Sequence, residues 1–370
     1  MADHWVGFVD HATKQYVKGF VDETVRRYLW LAMMERRGNL RMGVDASYES
    51  EYRVKWKQGT PESFEYGSTA TFEPQLRLKT ASMTWRGVKH TDTMHLDEYT
   101  KLANSAHNLV NRYNRIVPEL FGEVRKYFSD EMYTDGGSDT SKMEGLETVL
   151  ADDGNTVVAD LIANPDDSYH GIDTDLAQGG TWTANLGTPP NATHAYDWPE
   201  GSGDSQWDFW SPLLINTTST SWDGTNNTWE DNCIRALSRM GLWMMTNADV
   251  GQGSLLTLLT PKSFAELRES MRAAHYSLVP MPEATELGFP NTLQFEGQTI
   301  TSQYGVPSGI NGYSIDMDEA ELLFVTPNMV ESKGPTYDDK DMAYLFTAYS
   351  MGNFKWRPKR LAKLDDYADS

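Results

Sequence analysis

The sequence predicts an α+β fold: a polar extended arm, one long amphipathic helix, and a later block that mixes helices with strands. The arm runs from Ser47 to His95. Within it Glu51–Lys57 partly alternates polar and apolar residues, Gly59-Thr60-Pro61 marks a turn, and Gln75–Arg86 alternates again through Leu76, Leu78, Met83 and Trp85. Next, Leu102, Ala106, Leu109, Tyr113, Val117, Leu120, Val124 and Phe128 recur at helical spacing and predict a helix over Asp97–Phe128. Such a helix would span roughly 45–50 Å at about 1.5 Å per residue. The third observation is the alternation of helical and strand patterns beyond Thr228. A two-stranded ribbon is marginal on its own in water. This arm carries little apolar surface, so it is expected to lie on a partner, and a second copy of the chain is the simplest one.

The remaining elements follow in chain order. Phe20–Met34 has a short helical pattern, and Arg36-Arg37-Gly38-Asn39 reads as its end, with Gly or Asn at C′. Asp97 or Thr93 is placed to cap the long helix, and Pro118 predicts a kink or local break in it. Thr134–Ser141 is a Gly/Ser/Asp break. Met143–Ala163 holds a short apolar helix (Leu146, Val149, Leu150) and a second apolar patch (Val157, Val158, Leu161, Ile162). Asn164–Asp231 is rich in Gly, Asn, Thr, Pro and Trp and predicts turns, short strands and loops. Thr228–Thr246 returns to helix through Cys233, Ile234, Leu237 and Met240. Leu255–Pro261 reads as a buried strand and Lys262–Tyr276 as a helix capped near Ser263. Thr292–Pro307 suggests strands about Gly297, and Gly312–Val325 strands with an acidic turn at Asp316–Glu319. Met342–Leu364 is aromatic and extended, interrupted at Gly352-Asn353 and Pro358.

Composition excludes several classes. The 370 residues carry a formal charge of −21, with 53 acidic against 32 basic side chains, so no large basic face for nucleic acid is expected. No apolar run approaches the roughly 18 residues of a membrane span. The N-terminal MADHWVGFVDHATK lacks the pattern of a secretory signal, which leads to an expectation of cytoplasmic synthesis. The single cysteine, Cys233, rules out an internal disulfide and sits in an apolar helical pattern, as a small buried hydrophobe does.

Catalytic signatures are sparse. There is no phosphate loop, dinucleotide fingerprint, nucleophile elbow or zinc-protease motif. His90 and His95 have the wrong spacing for a helical metal pair. Asp316, Asp318, Glu319 and Glu321 lack the glycine and spacing of a calcium loop, and read as a solvated turn. Trp182, Trp198, Trp207, Trp210, Trp222 and Trp229, with Asp197, Glu200, Asp204 and Asp208, are residue types that stack and hydrolyse sugars, yet nothing sets two carboxylates at a defined separation. Aromatic anchors in a loop-rich region are the plainer reading. Three Asn-x-Thr matches, at Asn191, Asn216 and Asn226, read as chance without a signal sequence. The basic cluster Lys355, Arg357, Lys359, Arg360 and Lys363 suits either charge pairing between neighbouring subunits or an ordinary surface.

The order of elements resembles the Hong Kong 97-type coat fold of tailed-bacteriophage major capsid proteins. The stretch Met83-Thr-Trp-Arg-Gly-Val-Lys-His-Thr-Asp-Thr93 resembles that family's return from hairpin to spine helix. Gly145–Leu150, then His170-Gly-Ile-Asp-Thr174 and Trp182, resemble the segment after the spine. Asn227–Arg239, Leu255–Pro261 and Phe264–Tyr276 resemble its helix, strand and helix. Leu293–Ile300, Val306-Pro307 and Gly312–Asp316 resemble its later strand block, and Tyr344–Tyr367 its closing ribbon.

The resemblance implies an N-terminal arm (1–45), an extended β-hairpin loop (46–95) and a peripheral domain (96–227). Within the last lie a spine helix (96–133) and a loop-rich insertion (164–227). An axial domain (228–330) and a closing ribbon (331–370) complete the chain. It implies a structural protein without catalytic, cofactor or metal residues. Such a subunit forms hexamers and pentamers of an icosahedral virion shell around double-stranded DNA. A separate scaffolding protein, a portal and decoration proteins are the implied partners. An encapsulin-like cellular compartment and a glycan-binding or carbohydrate-active protein are the alternatives. The expected intersubunit contacts are Arg26, Arg27, Arg36, Arg37, Phe64, Tyr66, Phe72, Leu76, Leu78 and Trp85.

Overall fold

The computed structural model describes residues 28–47, 51–56, 63, 65–67, 77–97, 106–150, 168–173, 209–210, 212–217, 228–251, 253–274, 282, 286 and 292–365. Helix α1 (Leu29–Arg37) ends at Gly38, whose φ of 76° is the left-handed cap expected from the sequence. Strand β1 (Leu40–Met42) follows, then β2 (Glu51–Lys55), β3 (Leu78–Ser82) and β4 (Arg86–His95). Helix α2 (Ala106–Glu131) is 26 residues long, about 39 Å at 1.5 Å per residue. It passes through Pro118 as one element, so of the expected kink or local break the break is absent.

The chain continues with α3 (Leu146–Leu150), β5 (Ser168–Tyr169), β6 (Ile172–Asp173) and β7 (Leu213–Asn216). Helix α4 (Trp229–Asn247), strand β8 (Leu255–Leu259) and helix α5 (Pro261–Ala273) match the predicted trio. The cap of α5 is Thr260 rather than Ser263. The Thr260 side chain accepts from the Ser263 backbone N–H, with Pro261 in the first turn where no amide is missed. Strands β9 (Thr292–Phe295) and β10 (Gln298–Ser302) form a hairpin turned by Glu296 and Gly297, both at positive φ. β11 (Ile310–Asp316), β12 (Glu321–Phe324), β13 (Glu331–Asp338), β14 (Ala343–Lys355) and β15 (Leu361–Asp365) complete the fold.

Two sheets organise these elements. One has the order β1-β12-β14-β13 with β4 on the other side of β14; the second runs β7-β15-β11-β8-β10-β9. β14 is unbroken through Gly352-Asn353, contrary to the sequence reading. A side chain at Gly352 would meet the Leu323 carbonyl at 2.4 Å, so glycine lets β12 approach rather than ending the strand. The second sheet is a wall between two cores. Leu256 and Leu258 of β8 face the core that holds α2, whereas Leu255 and Leu259 face the core under α4 and α5. Helix α2 contributes Ile116, Leu120, Phe121, Val124 and Phe128, all buried. Each such side chain stabilises the fold by about 1.5–3 kcal/mol.

The segment expected to be a loop-rich insertion supplies core strands. β7 pairs in parallel with β15, and Leu213, Leu214 and Ile215 are fully buried. Its tryptophans split. Trp210 and Trp229 are buried, with indole N–H groups donating to Ile172 and Ser263 carbonyls, while Trp182, Trp198, Trp207 and Trp222 lie outside the described residues, as do Asp197, Glu200, Asp204 and Asp208.

Candidate functional site

Strands β2 and β3 form a two-stranded ribbon outside both large sheets, paired from Glu51↔Ser82 to Lys55↔Leu78, with Ala81 in the core that holds α2 and Tyr52, Val54 and Trp56 packed against that core. Along these ten positions only Ala81 is buried. Leu78 is 49% exposed, and Tyr66 beyond the strands is fully so. Arg53, Lys55, Arg77 and Lys79 make the stem basic on a strongly acidic chain, with Lys79 over the Trp56 ring at 4.3 Å.

The root of the ribbon is held by a buried polar network. The β5–β6 hairpin turns at His170 and Gly171, with φ of 52° and 75°, which points the His170 side chain inward. Its side chain is 0% exposed and stacks on Tyr169 at 3.7 Å. His170 Nε2 lies 2.7 Å from Glu144 Oε2, and Tyr52 Oη lies 2.7 Å from His170 Nδ1. Glu144 also accepts from Asn353 Nδ2 at 2.7 Å. A carboxylate that accepts from both neighbours places the imidazole proton on Nε2, which leaves Nδ1 to accept from the Tyr52 hydroxyl. Burial, opposed by Glu144, pushes His170 below the usual imidazole range, and Tyr52 is raised by burial and by Glu144.

Other bonds close the network. Asn353 Nδ2 donates to the Thr84 carbonyl at 2.7 Å, and its Oδ1 accepts from the backbone of Glu144 and Phe354. The Ser82 amide donates to the His170 carbonyl at 3.0 Å. The Trp356 indole donates to the Glu144 carbonyl, and its amide to Tyr169 Oη. Both strands of the ribbon are thus tied through one histidine to the segment after α2 and to β14.

A second network corrects the solvated-turn reading. Asp316 is 2% exposed and pairs with Arg360 at 2.7 Å. Glu319 meets Arg357 at 3.0 Å, and Glu321 meets Lys355 at 2.7 Å and Arg41 at 2.6 Å. Lys363 pairs with Glu147 at 3.1 Å, and Lys359 lies over Trp243. Lys355, Arg357, Arg360 and Lys363 of the C-terminal basic cluster therefore have acidic partners within their own chain, with Arg357 still exposed.

The expected contact residues fall into three groups. Arg26, Arg27, Phe64, Phe72 and Leu76 lie outside the described residues. Tyr66 and Leu78 are exposed on the ribbon. Trp85 is half-buried and donates to the Ala46 carbonyl at 2.8 Å, Arg36 reaches Glu286 at 3.3 Å, and Arg37 pairs with Asp318 and the Gly253 carbonyl. His90 pairs with Glu123, and among the described residues no group of His, Cys, Asp and Glu is placed to hold a metal. Cys233 is buried, as expected. Among the described residues no helix is long and apolar enough to cross a membrane. Sequence reading missed Tyr52, Glu144, His170 and Asn353 as a group. The His170-Gly171 pair was the one local signal, a two-residue turn.

The capsid asymmetric unit of cyanophage A-1(L) aligns with 85% of this chain and 87% of its own, at 12% identity and a TM-score of 0.51. The fold is the Hong Kong 97-type phage capsid fold. Capsids of the native GTA particle (11% identity, 91% of both chains, TM-score 0.47) and of mature bacteriophage PhiM1 (11% identity, 89% and 86%, TM-score 0.45) also align. No protein family and no curated protein sequence matches the chain.

Proposed function

We propose that the chain is a coat subunit that assembles with copies of itself, as hexamers and pentamers, into a closed shell around double-stranded DNA. The observation that carries this reading is the ribbon. Seven of its ten strand positions are exposed, while Tyr52, Val54 and Ala81 turn toward the core. A ribbon of this kind gains stability by lying on another surface, and in a shell that surface is a neighbouring subunit. Tyr66 and Leu78 supply apolar contact there, and the basic stem meets an acidic neighbour. The mechanism is interface burial, with no chemical step. A separate scaffolding protein, a portal and decoration proteins are the partners this reading brings with it, and the virion is the location.

The test shortens the ribbon. The Trp56 amide bonds the Arg77 carbonyl at 2.8 Å, so residues 57–76 are replaceable by an Asn-Gly turn without disturbing the root. The shortened chain is expected to stay folded and fail to form shells in light scattering. Shells of normal size from it would contradict the strap role. Nuclease-protected DNA inside particles recovered from cells supports a virion shell, whereas protein cargo would reassign the shell to a cellular compartment.

A further inference from the structure

We propose that the Tyr52–His170–Glu144 chain is a proton-sensitive latch that fixes the angle of the ribbon to the subunit body and loosens when His170 is protonated. The proposal goes beyond assembly, because every group in the latch belongs to one chain. Its basis is the hydrogen-bond polarity. Neutral His170 donates from Nε2 to Glu144 and accepts at Nδ1 from Tyr52. Protonation makes both ring nitrogens donors. The Tyr52 hydroxyl must then rotate to accept from the Nδ1 hydrogen, and its own hydrogen loses Nδ1 as acceptor, so this link from β2 to the body loses its fit. The ring has little room to adjust, being stacked on Tyr169 and carried by a left-handed backbone.

The charges around the ring come from several elements. Glu144, between α2 and α3, favours the imidazolium; Lys355 of β14 opposes it and itself lies 5.0 Å from the Tyr52 ring centre. Arg86 of β4 lies 3.9 Å from the Glu144 carboxylate, and Glu321 of β12 holds Lys355 at 2.7 Å. Tyr52 and Tyr169 remain neutral, their hydroxyls raised by burial. Burial of His170 outweighs the attraction of Glu144, so the neutral form is favoured in the fold. The stabilisation is therefore complete above the unfolded imidazole value of about 6.5 and lost as pH falls through the lower folded value.

The experiment is hydrogen exchange, read by mass spectrometry on the full chain at about pH 7.5 and about pH 5.5 and corrected for intrinsic exchange. Peptides covering Glu51–Lys55 and Leu78–Ser82 are expected to lose protection about tenfold at the lower pH, a change of about 1.4 kcal/mol, while α5 is unchanged. His170→Gln, which keeps a donor and an acceptor but does not titrate, is expected to remove the pH response. Tyr52→Phe is expected to show the low-pH protection already at neutral pH. His90 and His95 on β4 remain in both variants and serve as internal controls. Equal ribbon protection at the two pH values, or the same response in His170→Gln, would overturn the latch. If His170→Gln does not fold, the NMR titration of the His170 ring decides. Ribbon amides that shift with that titration support the latch, and amides that shift at another pH refute it.

Discussion

Asp316 carries its charge almost out of contact with water, and Arg360 is the residue that makes this tolerable. Replacing Asp316 with Asn leaves the largely buried guanidinium with only the longer contact to Glu319, at 3.5 Å, as counter-charge. Asp316→Asn is expected to destabilise the fold by about 3 kcal/mol in urea titration, within the range for breaking one side of a buried pair. Gly352 makes a different kind of demand. Its Cβ position lies 2.4 Å from the backbone of β12 and 2.6 Å from the Phe324 ring, so even Ala forces two central strands apart. Gly352→Ala is expected to cost about 1–3 kcal/mol, measured in the same titration. A surface substitution at the exposed Lys333 on β13 should fall within about 0.5 kcal/mol of zero.

At the scale of elements, α2 retains a proline in its interior. Proline lacks the amide that would bond one turn back and typically costs a helix about 3 kcal/mol. Pro118→Ala is therefore expected to raise the melting temperature while leaving the fold intact, as calorimetry would show; a lowered melting temperature would mean that the helix relies on the proline. The sequence foretold the elements whose signals are local. α4, β8 and α5 follow from periodicity, and Gly38 from the cap it forms. β7 was hidden because three apolar residues, Leu213–Ile215, sit among turn-forming neighbours, and its burial comes from β15, far along the chain. β14 was broken at Gly352-Asn353 because those residues usually end strands, and the contact that selects them lies on β12. The root network was illegible for the same reason: residues 52, 144, 170 and 353 meet only after folding. Of the expected contacts, Arg36 and Arg37 already have partners within the chain, which no local pattern predicts.

For the whole molecule the formal charge of −21 sets the conditions of association. Like-charged subunits repel over roughly a Debye length, about 10 Å at 0.1 M salt. The concentration needed for assembly is therefore expected to fall as ionic strength rises, as light scattering would show. The intrachain ion pairs around Asp316, Glu319 and Glu321 take up much of the basic charge of the C-terminal segment. The ribbon stem thus becomes a concentrated positive surface that the fold presents outward. Its destination decides whether the ribbon is an intersubunit strap. The measurement that reaches it most directly is electron microscopy of the purified full chain, in which each subunit's ribbon can be traced. Closed shells are expected, with every ribbon lying on an adjacent subunit and Leu78 covered there. A uniform monomer under all assembly conditions, or shells whose ribbons touch only their own subunit, would contradict it.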